Sequence, residues 1–398
     1  MSRYRLYPTP EQAAGMETHC EQARFVWNLA REQHGWYRRW KGPAPNYFVQ
    51  ARQLTEARAE FDWLAHGSII IQQQALKDFA TAMANFSAGT HRHPGFRKKG
   101  RHEGFRVVAV KPSNVRRVNR RWSEVRVPKV GWVRFRRSRA VPDARSYRVT
   151  LDRSGRWHLG FAAVPEPIPA PGTGSVVGVD RGVAVSAALS TGELLSCPGL
   201  RSKEAERLRR LQRRLARAKP KSNRRAKLNV RIGRLRAREV GRRKDWAEKI
   251  STGLARRFDV IRVEDLRIRN MARSAKGTVV EPGRNVRQKA GLNRRILAHG
   301  WGVLVQRLEA KAPGRVEKVN PVFTSQRCSA CAHVARENRE SQAVFRCAAC
   351  GYAGNADVNA ARNIAAGHAV TALGRRRVAE ACEPRTPHEA PPLLVGVE

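Results

Sequence analysis

The sequence predicts a multidomain α/β protein, and three of its features support that prediction. The chain has 398 residues, which is enough for two or more hydrophobic cores. Apolar residues recur at helical spacing through residues 11–90, whereas through 105–164 they alternate with polar or basic residues, as they do in strands. Two short apolar runs in the second half, 175–180 and 259–266, are predicted to be buried strands.

The charge of the chain indicates a polyanionic partner. It contains 78 Lys and Arg against 33 Asp and Glu, a formal net charge of +45 that is spread along the whole length. Nucleic acid is the first choice, because each phosphate that a cation neutralises releases a condensed counterion. An anionic membrane surface is the alternative, but no segment approaches the roughly 20 apolar residues that a spanning helix needs. A merely solvated surface does not account for an excess of this size.

The first half of the chain is predicted to hold one strand, a helical segment and then a group of strands. Residues 1–8 predict a short strand, and Thr9-Pro10-Glu11-Gln12 is typical of a helix start. Residues 105–164 predict a small barrel or sheet with one basic face and a hairpin turn at 153–156. Its tryptophans could stack on bases, but core packing is the favoured role. They are Trp122, Trp132 and Trp157.

Residues 201–244 predict a basic, antiparallel helical hairpin. This segment contains 20 Lys and Arg and 3 Glu. Two apolar stripes with helical spacing lie on either side of Pro220-Lys221-Ser222-Asn223, where the chain is predicted to turn. The arginine density favours a hairpin that follows a phosphate backbone over a solvated coiled coil.

The remaining segments of the second half predict a linker and further elements. Residues 165–174 hold four prolines and two glycines and are predicted to be a linker, and 183–189 is the predicted hairpin partner of the strand at 175–180. A single helix is predicted at 287–311 and a strand at 315–320. The last residues of the chain, about 25 in number, have a composition typical of poorly ordered segments.

The cysteines predict a structural zinc site. The start of the chain has no apolar signal region, so we expect a cytoplasmic protein, in which disulfides are rare. Cys328 and Cys331 form one CxxC pair and Cys347 and Cys350 a second, with 15 residues between the pairs. Two such pairs complete a tetrahedral four-sulfur site with no open position for catalysis. A redox CxxC would normally occur singly.

Three acidic residues are candidates for a second kind of metal site. Hydrolysis of a phosphodiester requires that the charge on the attacking and leaving oxygens be neutralised, which two divalent ions held by carboxylates achieve. Asp180 and Glu264 lie at or near the ends of apolar strands, where a buried carboxylate is costly unless it binds a cation. Asp357 follows the cysteines at the start of a predicted helix, where it could equally be a helix cap.

These motifs resemble those of the TnpB family, the transposon-encoded RNA-guided DNA nucleases related to compact type V CRISPR effectors. The resemblance covers residues 1 to about 366 and is most specific in the C-terminal half. The C-terminal motifs are Gly178-Val179-Asp180-Arg181-Gly182, Val263-Glu264-Asp265-Leu266, Thr324-Ser325-Gln326-Arg327-Cys328 and Asp357-Val358-Asn359-Ala360-Ala361-Arg362-Asn363-Ile364. The N-terminal ones are Tyr4-Arg5-Leu6-Tyr7-Pro8-Thr9, Gln73-Gln74-Ala75-Leu76, His93-Pro94-Gly95-Phe96-Arg97 and Ser222-Asn223-Arg224-Arg225.

The resemblance implies a particular division of the chain. Residues 175–320 would form a RuvC-like, RNase H-type nuclease core that includes the basic hairpin 201–244. A zinc ribbon, 321–355, would be inserted before the final helix of that core, 356–368. A split wedge-like β-barrel, 1–10 and 91–168, and a helical recognition segment, 11–90, would precede it. Residues 369–398 would be a disordered tail.

The resemblance also implies the chemistry and the partners. Asp180, Glu264 and Asp357 would be the catalytic residues and would hold two magnesium ions, while the four cysteines would hold one structural zinc ion. The partners would be a guide RNA and a double-stranded target DNA, chosen by base pairing next to a short flanking motif. Nucleic-acid contacts are assigned to four residues, of which Gln74 and Lys77 could instead lie on a solvated helix face. They are Gln74, Lys77, Arg224 and Arg225.

Three other readings of the sequence share these features. A compact type V CRISPR effector would have the same fold and metal sites. An RNA-guided DNA-binding repressor without cleavage would lack the acids, so the intact triad argues against it. A transposase that transfers DNA strands would use the same acids without a guide.

Overall fold

The computed structural model describes residues 2–36, 42–101 and 103–367, and the chain divides into two compact units. The first unit consists of Met1–Pro165 with Ser202–Ala237, and the second of Glu166–Arg201 with Arg238–Glu398. The predicted tail, 369–398, lies outside the described residues. Among the described residues, no helix is long and apolar enough to cross a membrane.

Two antiparallel sheets form the strand part of the first unit. One has the strand order β1-β7-β6-β2 and the other the order β3-β4-β5, and a bridge between Leu6 and Phe135 connects them. The strands are β1 (Ser2–Arg5), β2 (Gly104–Val108), β3 (Val115–Arg117), β4 (Trp122–Val127), β5 (Gly131–Arg136), β6 (Ser146–Leu151) and β7 (Trp157–Phe161). The period-two pattern and the turn at 153–156 are therefore confirmed.

Alternate side chains of these strands enter one hydrophobic core. Tyr4, Phe135 and Phe161 pack edge to face in its centre and are almost fully buried. Trp157 is also buried, as its favoured role predicted. The other two tryptophans are only partly buried: the Arg136 guanidinium carbon lies 5.4 Å from the ring centroid of Trp122, and that of Arg116 lies 4.3 Å from the centroid of Trp132.

Four helices complete the N-terminal part of the first unit. They are α1 (Pro10–Trp36), α2 (Tyr47–Glu60), α3 (Asp62–Ala65) and α4 (Ile69–Ser87). The predicted start of α1 is confirmed, because Thr9 and Gln12 form a reciprocal capping box: each side chain accepts a hydrogen bond from the other's backbone amide. The helical periodicity places Val26 and Phe79 in the core, whereas Phe86 is 40% exposed.

The predicted basic hairpin is formed by α5 (Ser202–Ala216) and α6 (Asn223–Arg257). The turn occurs at the predicted Pro220–Asn223 segment, and Leu208 and Leu228, one from each apolar stripe, are buried. The second helix continues beyond the predicted end at residue 244. Its later residues are apolar on one face, and Ala247 and Leu254 are buried in the core of the second unit.

A five-stranded sheet with the order β10-β9-β8-β11-β12 organises the second unit. Its strands are β8 (Val176–Asp180), β9 (Ala187–Leu189), β10 (Leu194–Leu195), β11 (Val260–Glu264) and β12 (Val316–Val319). Strands β8, β11 and β12 are parallel, and β9 pairs with β8 as the predicted hairpin partner. Parallel strands are buried on both faces, which explains the continuous apolar runs in the sequence.

The single helix predicted at 287–311 is wrong. The structure has two helices there, α8 (Val286–Ala298) and α9 (Trp301–Lys311), after a short helix, α7 (Ile268–Met271). The break occurs at Gly300, whose φ of +68° is left-handed and cannot continue a right-handed helix. Apolar periodicity continues through such a break, because it reports which side chains are buried and not the backbone conformation.

A small hairpin and a last helix end the described chain. The hairpin pairs β13 (Val344–Arg346) with β14 (Ala353–Asn355), and α10 (Ala356–Ala366) follows directly. This helix packs closely on β8 at Gly178, where an added Cβ would lie 2.0 Å from the carbonyl oxygen of Ala361. Only glycine permits that approach, which holds the second half of α10 against β8.

Candidate metal centres

The three predicted acids come from three elements of the second unit that pack against one another. Asp180 is the last residue of β8 and Glu264 the last residue of β11. These strands are parallel neighbours with Val179 opposite Val263, so both carboxylates leave the same edge of the sheet. Asp357 is the second residue of α10, which packs on β8.

The charges of the other two carboxylates make Asp180 harder to ionise. Burial, followed by the charges of Glu264 and Asp357, raises the pKa of Asp180 to about 7. Burial also raises the pKa of Glu264 and of Asp357. A group of buried acids whose protons are hard to remove is costly to ionise, and a bound cation would relieve that cost.

Asp357 is not the cap of its helix. Asn355 is the capping residue, because its side-chain oxygen accepts hydrogen bonds from the backbone amides of Asp357 and Val358 at 3.0 and 3.1 Å. The Asp357 carboxylate is therefore not used as a helix cap, which was the alternative role that the sequence allowed for it. It lies in the first turn of the helix, where the helix dipole favours a negative charge.

Three polar residues hold the acids in place. The Thr324 hydroxyl donates a hydrogen bond of 2.7 Å to Oε1 of Glu264. Arg181 donates to the main-chain oxygen of Glu264, and a nitrogen of Arg339 lies 3.3 Å from Oδ1 of Asp357. Thr324 is 2% exposed, so its hydroxyl has little access to water, and its acceptors are this carboxylate and the carbonyl of Pro321 at 3.1 Å.

The four predicted cysteines meet at one point. The Sγ atoms of Cys328, Cys331, Cys347 and Cys350 all lie within 4.8 Å of one another. Burial raises the pKa of the Cys347 thiol, but hydrogen bonds from the amides of Cys350 and Ala349 and from the neighbouring thiols outweigh it and lower the pKa to about 6, which favours the thiolate form that binds metal. Four sulfur ligands at this spacing fit a tetrahedral zinc ion.

The two cysteine turns have the same backbone geometry. The amide of Ala332 donates to the carbonyl of Cys328, and the amide of Gly351 donates to that of Cys347, both at 3.0 Å. Gly351 has a φ of +73° and Ala332 a φ of +65°. The first turn thus adopts the left-handed conformation although it lacks the glycine that this conformation favours.

Two buried asparagines of α10 attach this helix to the first cysteine turn. Asn359 accepts a hydrogen bond from the amide of Ser329 at 2.9 Å and donates to the carbonyl of Arg327 at 2.8 Å. Asn363 donates to the carbonyls of Thr324 and Arg327 at 2.9 and 2.7 Å. The segment 324–329 therefore contacts Glu264 through one side chain and the Asp357 helix through its backbone.

The donor atoms of the two centres suit different metals. The acids offer only carboxylate oxygens, which magnesium prefers, and the cysteines offer only sulfur, which zinc accepts. In the described residues, the carboxylates do not approach one another as closely as the four thiols do.

Comparisons with known proteins identify the family. Three family models match: "Cas12f1-like, TNB domain" at residues 301–364, "Probable transposase" at 160–275 and "Helix-turn-helix domain" at 2–41. The "Putative RNA-guided DNA endonuclease InsQ" of Escherichia coli K12 is 38% identical over 384 residues, which cover 94% of this chain and 93% of that protein. The chain belongs to the TnpB family.

Two further comparisons agree with this membership. A "Putative RNA-guided DNA endonuclease" of Streptomyces pristinaespiralis is 31% identical and matches 94% of this TnpB chain and 90% of its own length. Among solved structures, the protein chain in the "Cryo-EM structure of the Cas12f1-sgRNA-target DNA complex" has the same overall fold, with a TM-score of 0.55 over 88% of this chain and 81% of that one. Because the two sequences are only 15% identical, this similarity is evidence for the fold and not for the function.

The nucleic-acid contacts predicted for this TnpB chain have varied surroundings. Gln74 is 6% exposed and its amide donates to Asp78 at 2.9 Å, so it does not lie on a solvated helix face, whereas Lys77 is exposed. Arg225 donates to the carbonyls of Leu215 and Ala218 and so closes the end of α5, while Arg224 is exposed. Binding by any of these residues stays a prediction.

Several residues around the acids had no role in the sequence analysis. Thr324, Asn359 and Asn363 lie in the motifs that resemble the family, but spacing alone did not show what they contact. Two fully buried asparagines in an alanine-rich helix were the available signal, because a buried amide requires partners. Arg339 gave no signal, since it is one of 78 cationic residues and reaches Asp357 only through the fold.

Proposed function

We propose that this TnpB protein is an RNA-guided DNA endonuclease that cleaves DNA by hydrolysis at the carboxylates of Asp180, Glu264 and Asp357. The observation that carries the proposal is the convergence of these buried acids at one edge of a parallel sheet, in a chain that is 38% identical to a protein named as an RNA-guided DNA endonuclease. The net charge of +45 supports it, because such an enzyme must hold both a guide RNA and DNA.

We assign the nuclease core to residues 175–320 together with the helix 356–368, as a RuvC-like, RNase H-type fold. The mixed sheet supports this assignment, with the acids at the ends of adjacent strands β8 and β11. The ribbon would be 321–355, and the two sheets of the first unit would form the wedge-like barrel of 1–10 and 91–168. The helices between them, 11–90, would be the recognition segment.

The carboxylates of Asp180, Glu264 and Asp357 would hold two magnesium ions. Bound there, the ions would supply the positive charge that stabilises the attacking and leaving oxygens in the transition state. Thr324 orients Glu264 by its hydrogen bond, and Asn355 fixes the helix start that presents Asp357. Arg339 places a permanent positive charge beside Asp357, which favours the ionised carboxylate that a cation requires.

We propose that sequence selection lies with the guide RNA, and that the protein reads the paired strands by shape and backbone. The first unit would read a short flanking motif, with Gln74 and Lys77 as candidate contacts. A Gln amide can pair with adenine and a Lys with phosphate or guanine. Arg224 and Arg225, on the basic hairpin, would contact RNA or DNA phosphates, Arg224 with its exposed guanidinium.

The decisive experiment combines co-purified RNA with supercoiled plasmid. The RNA that co-purifies with the full chain is sequenced, a plasmid carrying its complement next to randomised flanks is added with magnesium, and nicked and linear products are counted. Wild type is expected to cleave, and Asp180→Ala to lose cleavage while keeping RNA and DNA binding. Asp245→Ala is the matched control, because Asp245 is exposed on α6 and its ion pair in the described part of the chain is with Lys249. Binding without cleavage by wild type would overturn the nuclease and leave the repressor.

A further inference from the structure

The first unit contains a group of neighbouring arginines that has more positive charge than the carboxylate paired with it can neutralise. We call Arg97, Arg106 and Arg148 the arginine cluster. Arg106 lies on β2 and Arg148 on β6, and the two residues are direct partners in the antiparallel register. Side chains of directly opposed residues lie on the same face within about 5 Å at their Cβ atoms.

This cross-strand pair is unfavourable in the unbound protein. Like charges directly opposite each other on a sheet destabilise it. One carboxylate neutralises part of the positive charge of this pair: Oδ1 of Asp78, on α4, lies 3.3 Å from a nitrogen of Arg106. The same oxygen accepts a hydrogen bond of 2.9 Å from Gln74, so Gln74 holds Asp78, and Asp78 holds Arg106.

Arg97 brings a third guanidinium to this place, from the loop that precedes β2. Its guanidinium carbon lies 3.7 Å from the ring centroid of Trp27. The loop is fixed to α1, because Asn28 accepts from the Arg97 amide at 2.7 Å and donates to its carbonyl at 3.0 Å. Burial and the charge of Arg148 lower the pKa of Arg97 to about 10, against the opposing effect of Asp78. The positive charges of Arg97 and Arg148 therefore repel each other.

The charge of this group is three guanidinium ions less one carboxylate, or +2. Within the described part of the chain, no other carboxylate forms an ion pair with any of the three arginines. Such an arrangement costs free energy in the free protein. It is favourable once a dianionic or polyanionic group binds, because guanidinium ions arranged around an oxyanion form strong charge-assisted hydrogen bonds.

We propose that the arginine cluster binds backbone phosphates of a nucleic acid, with Arg148 as the principal exposed donor and Asp78 orienting Arg106. Two features distinguish it from the general positive charge of the chain. Its guanidinium ions are held by an aromatic ring, a carboxylate and a fixed loop, and its charges face one another across a strand pair. The proposal rests on the proposed function only in taking nucleic acid as the ligand, and it needs neither cleavage nor a guide.

The test measures affinity and stability together in full-length Arg148→Gln. The probes are a 30-base-pair DNA duplex and a 30-nucleotide RNA, each titrated at several salt concentrations in an Asp180→Ala background. Loss of one phosphate contact should weaken binding of one or both probes about tenfold and reduce the slope of log Kd against log salt by about 1. The thermal midpoint of the free chain should be equal or higher, because a repulsive pair has been removed.

Two variants make the outcome specific. Arg117→Gln removes the same charge from an exposed arginine on β3 that has Ser123 and not a cation opposite, so it should change the salt slope less and not raise the midpoint. Arg148→Lys keeps the charge and should keep most of the slope. Equal losses for Arg148→Gln and Arg117→Gln would overturn the proposal in favour of diffuse charge, as would a lower midpoint with unchanged affinity. The probe that loses affinity identifies the bound strand, and plasmid cleavage is scored separately.

Discussion

The hydroxyl of Thr324 donates a hydrogen bond of 2.7 Å to Oε1 of Glu264, while the carbonyl of the same residue accepts one of 2.9 Å from Asn363. One buried residue at the start of the ribbon therefore contacts the carboxylate at the end of β11 and the helix that carries Asp357. The ribbon and the acids are thus parts of one hydrogen-bonded structure. A disturbance of either is expected to reach the other.

Replacing Thr324 with valine should impair catalysis more than binding. Valine keeps the shape but removes the donor to Glu264, and loss of such a partner of a metal ligand typically costs about 10–100-fold in metal affinity or activity. We expect the magnesium concentration for half-maximal cleavage to rise, with guide RNA and target binding unchanged. Thr324→Ser, which retains the hydroxyl, is the control. An unchanged magnesium dependence in Thr324→Val would show that the hydrogen bond does not position Glu264.

Replacing Ala332 with glycine should stabilise the ribbon. A non-glycine residue at φ +65° costs about 1–2 kcal/mol, and glycine loses about 0.5–1 kcal/mol more chain entropy on folding, so the net gain is about 0.5–1 kcal/mol. Gly351→Ala is the matched opposite change, from glycine to alanine in the second turn. Nothing lies within 4 Å of a Cβ added at Gly351, so this change would add only backbone strain. Thermal unfolding and the rate of zinc loss to a chelator measure both. Equal stability in all three proteins would argue against strain in the first turn.

Replacing Cys347 with serine should abolish zinc binding and lower solubility. The Sγ atoms of Cys331 and Cys347 lie 3.6 Å apart, so one substitution opens the four-sulfur site, and structural zinc sites contribute folding free energy. Metal analysis of the purified protein is expected to fall from one zinc ion per chain to none. Cys197→Ser, outside the ribbon, should keep the zinc ion. A stable, active and zinc-free Cys347→Ser protein would refute a structural role for zinc.

Replacing Asp152 with asparagine should destabilise the first unit in a pH-dependent way. Burial raises the pKa of Asp152, but hydrogen bonds from Ser154, His158 and the Arg156 amide outweigh it and lower the pKa to about 2. A carboxyl with a lowered folded-state pKa stabilises above its unfolded value of about 4, and this contribution is lost as the pH falls towards 2.

For this partly exposed group we expect a loss of about 1 kcal/mol at pH 7 and a smaller one at pH 3. The measurement is the shift in denaturation midpoint relative to wild type at each pH. Asp143→Asn, at an exposed position of the same unit, is the control. A difference that does not depend on pH would mean that Asp152 contributes by packing and not by its charge.

Local sequence determined most of the elements and the choice of candidate metal-binding residues. The capping box of Thr9 and Gln12, the alternation of β4 to β7 and the turn at Pro220–Asn223 all depend on neighbours along the chain, so they can be read from it. Four cysteines at CxxC spacing specify their own geometry, and the structure gathers them within 4.8 Å. The break at Gly300 was missed, because glycine permits a left-handed conformation without requiring it.

The tertiary structure alone decided how the acids are supported and where charge is left unbalanced. Asp180 and Glu264 become neighbours only through the parallel pairing of β8 and β11, across more than 80 residues of chain. Thr324, Asn359 and Asn363 acquire partners only when the ribbon folds against α10, and Arg106 meets Arg148 only through the β2–β6 register. Spacing along a sequence determines which side chains share a local face, whereas a buried hydrogen bond or an opposed charge depends on segments that only the folded chain brings together.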